Sequence, residues 1–230
     1  AHGSDLVLKS APECLAIEPA LASIADALVG GTFTPSDQSG DAHLFTQRLA
    51  GMTARHGARF VYEATVEALE RTGDAVSGVR IRRGTHAERM TADAYVVALG
   101  SYSPRLLRPL GLRPLVYPAK GYSVTVPIVD PGLAPRVSLI DESLKIVASR
   151  LGERLRIAGT AELDGYDTHI DRRRCEAILR RAQRLFPGAF DATRAQFWAG
   201  LRPATPGNLP LIGRTPLRNL YLNTGHGTLG

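Results

Sequence analysis

The order of apolar and polar positions divides the chain into helices of period 3.6 and strands of period 2. Residues 41–56 carry Leu44, Phe45, Leu49 and Met52 on one helical face, and Gly57 marks the end of that helix. Residues 18–29 read as a helical or turn segment that leads into a strand over 27–34. Short strands are expected over 59–62, 66–71, 76–82, 88–91 and 94–99, with turns at Gly73-Asp74 and Arg83-Gly84. Residues 103–110 form a short helix opened by Ser103-Pro104. The pattern then alternates over 121–128, 137–140, 145–150 and 155–159, as antiparallel strands do. One clear helix follows over 171–186, then strands over 195–199 and 220–223. Interleaved helices and strands with an antiparallel block inserted give a mixed α/β, or α+β, fold class.

Two of these strands differ from the rest. Residues 59–62 and 95–100 are nearly unbroken apolar runs, which suits strands buried on both faces of a parallel sheet. A three-stranded meander lies between them. A helix, a parallel strand, a meander and a return strand ending in Ala-Leu-Gly is the layout of a glutathione-reductase-type FAD domain. It is also what any α/β domain with a hairpin insertion would show, and the pattern alone leaves both open.

Composition changes this picture little. A chain of 230 residues with 44% hydrophobic and 22% charged residues suits a globular protein with a sizeable core. No apolar run approaches the ~20 residues that span a bilayer, and the start has no basic segment followed by an apolar one. The two cysteines, Cys14 and Cys175, fit no metal-ligand spacing, so a reduced, cytoplasmic protein without a metal site is expected. The net charge of +6 permits attraction to nucleic acid or anionic lipid. Nucleic acid is not expected as a partner: aromatics are 6%, they are not interleaved with the basic residues, and no nucleic-acid motif occurs.

The candidate chemistry lies in the last thirty residues. Arg202 stands between Gly200 and two prolines, Pro203 and Pro206, in what reads as a fixed loop. A fixed guanidinium suits a carboxylate, because it meets one through two parallel hydrogen bonds. Gly225-His226-Gly227-Thr228 follows a short strand, where glycines let backbone approach a flavin or phosphate. The G-x-G-x-x-G turn that grips a pyrophosphate is not found at the end of a first strand with an acidic residue about 20 positions on, so that grip is not expected from these residues.

Several segments resemble one family. They are residues 40–49 (GDAHLFTQRL), 92–103 (ADAYVVALGSYS), 117–123 (YPAKGYS), 197–206 (FWAGLRPATP) and 222–230 (LNTGHGTLG). Together they resemble the small subunit of bacterial D-amino acid dehydrogenase, over nearly the whole chain from about Leu15 onward. The chain is similar in outline to glycine oxidase and D-amino acid oxidase. The family is longer at both ends, so these residues correspond to its middle and late portion.

The resemblance implies an FAD-dependent oxidoreductase of D-amino acids such as D-alanine, yielding 2-oxo acids and ammonia. It implies hydride transfer from Cα to flavin N5 and electrons passed to a quinone or respiratory acceptor. It also implies a position in the cytoplasm, with peripheral contact at the inner face of the membrane as an added expectation. Catalysis would then be positioning, with no dedicated acid or base. Residues 1–40 would be a substrate-domain segment and 41–112 an FAD-domain segment. Residues 113–200 would form an antiparallel substrate-binding domain, and 201–230 would return to the FAD domain.

Arg202 would clamp the substrate carboxylate. Gly200, Gly225, His226, Gly227, Thr228 and Gly230 would line the flavin, Val66 would meet the adenine, and Ala98 and Gly100 would pass beneath the nucleotide. Tyr122 either donates a hydroxyl to the substrate or is a strand tyrosine packed in the sheet. His226 either faces a flavin carbonyl or shapes its loop. Asp41 and His43 read as the cap and start of their helix. Leu144 stands where relatives are expected to carry tyrosine, which would make the pocket more apolar. Arg172, Arg173, Arg174, Arg180, Arg181 and Arg184 flank an apolar stripe, read either as the solvated face of a core-packed helix or as a docking face for anionic lipid. A non-catalytic module holding an acidic or amino-acid ligand on Arg202 is the alternative to the enzyme.

Overall fold

The computed structural model describes residues 5–143 and 145–227, which form two compact units. The first takes the chain up to residue 50 with 121–161 and 169–200; the second takes 51–120, 162–168 and 201 onward. The chain is mixed α/β, with largely antiparallel sheets, as the pattern of periods predicts.

In the first unit, β1 (Val7–Ser10) pairs antiparallel with β2 (Gly30–Phe33) around α1 (Ala11–Ile17) and a 3-10 segment, Pro19–Ala27. β1 and α1 are not expected from the pattern, because each is too short to show a period. The larger sheet has the order β11 (Gln196–Ala204), β7 (Tyr117–Pro127), β10 (Arg154–Glu162), β9 (Ile146–Leu151) and β8 (Leu139–Asp141). Its inward positions Tyr122, Val124, Val126, Ile146, Ala148, Leu155 and Ile157 share one core with α4 (Arg172–Leu185). That helix buries Cys175, Ile178, Ala182 and Leu185, at spacings of three and four. Asp171 caps it by accepting from Arg173 N. Glu18, buried in the same unit, accepts from Arg136 N and Val137 N and so fixes the loop before β8.

The second unit holds the meander β3 (Thr65–Thr72), β4 (Ala75–Arg83) and β5 (His86–Met90), antiparallel throughout. It also holds a sheet of order β12 (Leu211–Arg214), β13 (Leu220–Thr224) and β6 (Tyr95–Val97). β12 and β13 are antiparallel, whereas β13 and β6 are parallel. Leu69, Val76, Val97, Leu107, Leu110, Leu217 and Leu220 form its core, with α3 (Ser103–Leu107) packed in. α2 (Ala42–Arg55) precedes this unit and crosses the boundary between the two.

Two strand expectations are corrected. Residues 59–62 are not a strand, and Phe60, Val61 and Tyr62 are exposed. The backbone there is open enough for the i and i+2 rings of Phe60 and Tyr62 to stack at 5.8 Å. A parallel strand needs a neighbour for its ladder, and among the described residues none pairs with this run. In β6, Val97 is buried but Val96 is exposed, so one face alone is covered.

Candidate functional site

The parallel pair β6 and β13 sets the site. Leu220 lies beside Tyr95 and Leu222 beside Val97, so both strands end at the same edge of the sheet. Gly100 follows one strand and Gly225 the other. Ligands of open α/β sheets bind outside the carboxyl ends of such strands.

Buried hydroxyls tie the two ends together. Thr224 Oγ1 donates to Gly100 O at 2.9 Å, and Ser103 Oγ donates to Thr224 Oγ1 at 2.9 Å. Gly100 opens the 3-10 turn Gly100–Tyr102 at φ 53°, and Gly225 adopts φ 77°. Both conformations are open to glycine and costly for residues with a Cβ. At Gly225 a Cβ would also stand 2.8 Å from Thr205 Cγ2. Gly227 N donates to Pro203 O at 3.0 Å, so this N–H holds the loop in shape.

Arg202 lies in this second unit, but in a strand rather than in a loop. β11 runs through Pro203 because it is an edge strand, where a residue without N–H costs no ladder bond. Its neighbours are fixed: Leu201 O accepts from Ser101 Oγ at 3.2 Å, and Pro203 O accepts from Gly227 N. The Arg202 side chain is half-buried and has no acidic or hydrogen-bonding partner among the described residues. A guanidinium partly withdrawn from water without a counter-charge is a poor stability device and a good anion site.

The FAD dependent oxidoreductase family matches residues 1–230. The chain belongs to that family of flavoproteins.

Two relatives and two solved structures show the range of the chain's likeness. It is 53% identical over 219 residues to the D-amino acid dehydrogenase of Dechloromonas aromatica (strain RCB), covering 95% of this chain and 52% of that protein. It is 52% identical to the D-amino acid dehydrogenase of Paramagnetospirillum magneticum (strain ATCC 700264 / AMB-1), covering 100% and 53%. The chain thus spans about half the length of the curated relatives it matches. Glycine oxidase from Geobacillus kaustophilus superposes with a TM-score of 0.83 at 27% identity, covering 100% of this chain and 60% of that one. L-proline dehydrogenase from P. horikoshii gives 0.83 at 18% identity, covering 99% and 61%, which speaks to the fold alone.

The second unit brings together Gly100, Gly225, His226, Gly227 and the backbone on both sides of Arg202. Ala98 is exposed between β6 and Gly100, and Val66 is exposed on β3, paired with Ile81. Thr228, Gly230 and Leu144 lie outside the described residues. Gly200 and Tyr122 belong to the first unit. A Cβ at Gly200 would stand 2.1 Å from the Trp198 ring, so glycine there makes room for that ring. Tyr122 is 1% exposed within the core of its unit, with the Arg174 guanidinium 5.9 Å from its ring centre.

Sequence reasoning missed Ser101, Ser103 and Thr224, whose partners lie 100 or more residues away. It also missed the role of Lys120, 2% exposed on β7. Lys120 Nζ meets Asp167 Oδ2 at 2.7 Å, Glu162 Oε2 at 3.3 Å and Asp164 Oδ2 at 3.7 Å. A signal existed: it is one of three lysines in the chain and sits inside an apolar strand.

The residues present fit part of an FAD site. Two left-handed glycines, Gly100 and Gly225, stand at the carboxyl ends of adjacent parallel strands, and the backbone on either side of Arg202 is tied to the same two turns through Ser101 and Gly227. The pyrophosphate grip is not among them.

Proposed function

We propose that this chain is the substrate-clamping and flavin-contacting portion of an enzyme that oxidises D-amino acids such as D-alanine to 2-oxo acids and ammonia. The observation that carries the reading is the set of ties that joins Gly100, Gly225 and Gly227 to the strand bearing Arg202. The relatives' name, D-amino acid dehydrogenase, supports the substrate class. The proposal extends to an acceptor such as a quinone or respiratory carrier, and with it peripheral membrane contact. Among the described residues no helix is long and apolar enough to cross a membrane.

Bound FAD supplies the acceptor for a hydride lost from Cα. The residues of this chain position the substrate for that loss. Arg202 takes the substrate carboxylate through two parallel N–H···O bonds, which fixes both place and orientation. β11 and its ties to Ser101 and Gly227 hold the backbone that carries that guanidinium, so the backbone there needs little ordering during binding. The turns at Gly100 and Gly225 let backbone approach the flavin, and His226 stands between two glycines at the same edge. Val66 and Ala98 are proposed as backbone neighbours of the nucleotide. Gly200, Thr228 and Gly230 are proposed to line the flavin. Tyr122 adds core packing, and the proposal does not lean on its hydroxyl.

The test uses the intact gene product that carries this chain. It should purify yellow, and D-alanine should bleach its flavin absorbance without oxygen; a colourless protein, or absorbance indifferent to D-amino acids, refutes the reading. Arg202→Lys should raise KM for D-alanine by about 10- to 100-fold, the worth of one charge-assisted bidentate contact, with a smaller change in kcat. An unchanged KM refutes the clamp.

A further inference from the structure

The ties described so far leave one cluster unexplained: the buried Lys120 with three partly or fully exposed carboxylates from residues 162–168. That segment is short, lies wholly in the second unit and is pinned at several points. Lys120 Nζ holds Glu162, Asp164 and Asp167. Tyr117 Oη accepts from Gly165 N at 3.4 Å. Tyr166 Oη donates to Ser101 O at 2.9 Å, and the Arg105 guanidinium lies 3.7 Å from the centre of the Tyr166 ring. The Tyr102 ring stands 5.4 Å from the same ring.

Tyr166 therefore lands on the residue that carries the Arg202 strand. Ser101 accepts from Tyr166 through its carbonyl and donates through its hydroxyl to Leu201 O, one residue before Arg202. Gly100, just before it, has a left-handed backbone and accepts from Thr224. Glycine is free to adopt many backbone conformations, so the place of this turn depends on the ties around it. The buried ammonium also needs its acidic partners, because an ion withdrawn from water without them is costly.

We infer that residues 162–168 are a strap, anchored at Lys120 and ended by Tyr166, that fixes the Gly100–Ser101 turn and through it the position of Arg202. Lys120 and Tyr166 are thus positioning residues of the substrate site. Neither touches the reacting atoms. The inference rests on the reading of Arg202 as the carboxylate clamp.

Tyr166→Phe in the intact gene product removes one oxygen and keeps the ring under Arg105. Two readouts separate the strap from general stability. Hydrogen exchange at the amides of Ser101, Tyr102, Leu201 and Arg202 should quicken by about three- to tenfold, the worth of one hydrogen bond. KM for D-alanine should rise by about the same factor, with kcat changed less than twofold and the thermal midpoint nearly unmoved. Lys120→Met should exceed both effects, and Lys120→Arg should recover most of them.

Should Lys120→Met fail to fold, Tyr166→Phe still decides the matter. Unchanged exchange at those four amides overturns the strap even if the enzyme is active. A lowered midpoint with unchanged KM also overturns it, because it reduces the contact to ordinary packing. Faster exchange in a protein that does not respond to D-amino acids keeps the mechanical link and refutes the function instead.

Discussion

At Gly225, backbone conformation and a close neighbour act together. A side chain there meets a φ of 77° and Thr205 Cγ2 at 2.8 Å. Both Gly225 and Thr205 are buried, so the clash has little room to relax. Gly225→Ala should therefore cost about 1–3 kcal/mol, read as a lower thermal or denaturant midpoint. Gly51→Ala in α2 is the matched control: nothing lies within 4 Å of its added Cβ. That change should stabilise by about 0.5–1 kcal/mol, as alanine does in a helix interior. Equal effects at the two sites would show that the Gly225 turn is not constrained. The glycine-rich turn was legible at this scale, since glycine in such a place after a strand points to φ above zero. The hydroxyls that hold the turn were not, because serine and threonine are compatible with many local roles and their partners are remote in sequence.

Helices and hairpins were legible as elements because their signals are local. The 171–186 periodicity and the 66–91 meander appear close to their expected bounds, in α4 and in β3 through β5. Strands whose partners are far away were read less well. Residues 59–62 have the composition of a strand without a ladder, and Arg202 was expected in a loop because prolines flank it. Both depend on which strand lies alongside, which no local pattern records. α4 also settles part of its own ambiguity: Cys175, Ile178, Ala182 and Leu185 are spent on the core, so its apolar stripe is not available to lipid. Any attraction of this helix to a membrane would be electrostatic, through side chains such as Arg180 and Arg184. Arg180→Glu with Arg184→Glu should then abolish binding to anionic vesicles in low salt, and unchanged binding removes this helix as the docking face. The cap of α4 carries a pH dependence. The Arg173 side-chain hydrogen bond, with the backbone bond from the same residue, holds the Asp171 carboxyl below its ordinary range. A depressed carboxylate lends stability above its unfolded pKa and loses it as pH falls through the folded one. Asp171→Ala should lower the midpoint at pH 7, with the gap closing in acid; a gap that persists there would leave the carboxylate no part in the cap.

For the whole molecule, the division into two units limits what the chain can do without the rest of its relatives' length. The turns proposed to face the flavin and the proposed clamp, Arg202, both lie in the second unit. The sequence has no G-x-G-x-x-G turn at the end of a first strand with an acidic residue about 20 positions on, and such a turn with its helix N-terminus supplies the pyrophosphate grip in dinucleotide folds. Much of the affinity for a dinucleotide comes from that charged middle, whereas glycine turns near the ring mainly shape the approach. The 230 residues expressed alone should therefore purify with little flavin, while the intact gene product should carry about one FAD per chain. Absorbance near the flavin band, divided by protein concentration, measures the difference directly. Equal flavin content in the two proteins would mean that these residues grip the cofactor by a route other than the glycine turns at the ends of β6 and β13. It would move the search for the pyrophosphate site to the basic side chains of the second unit.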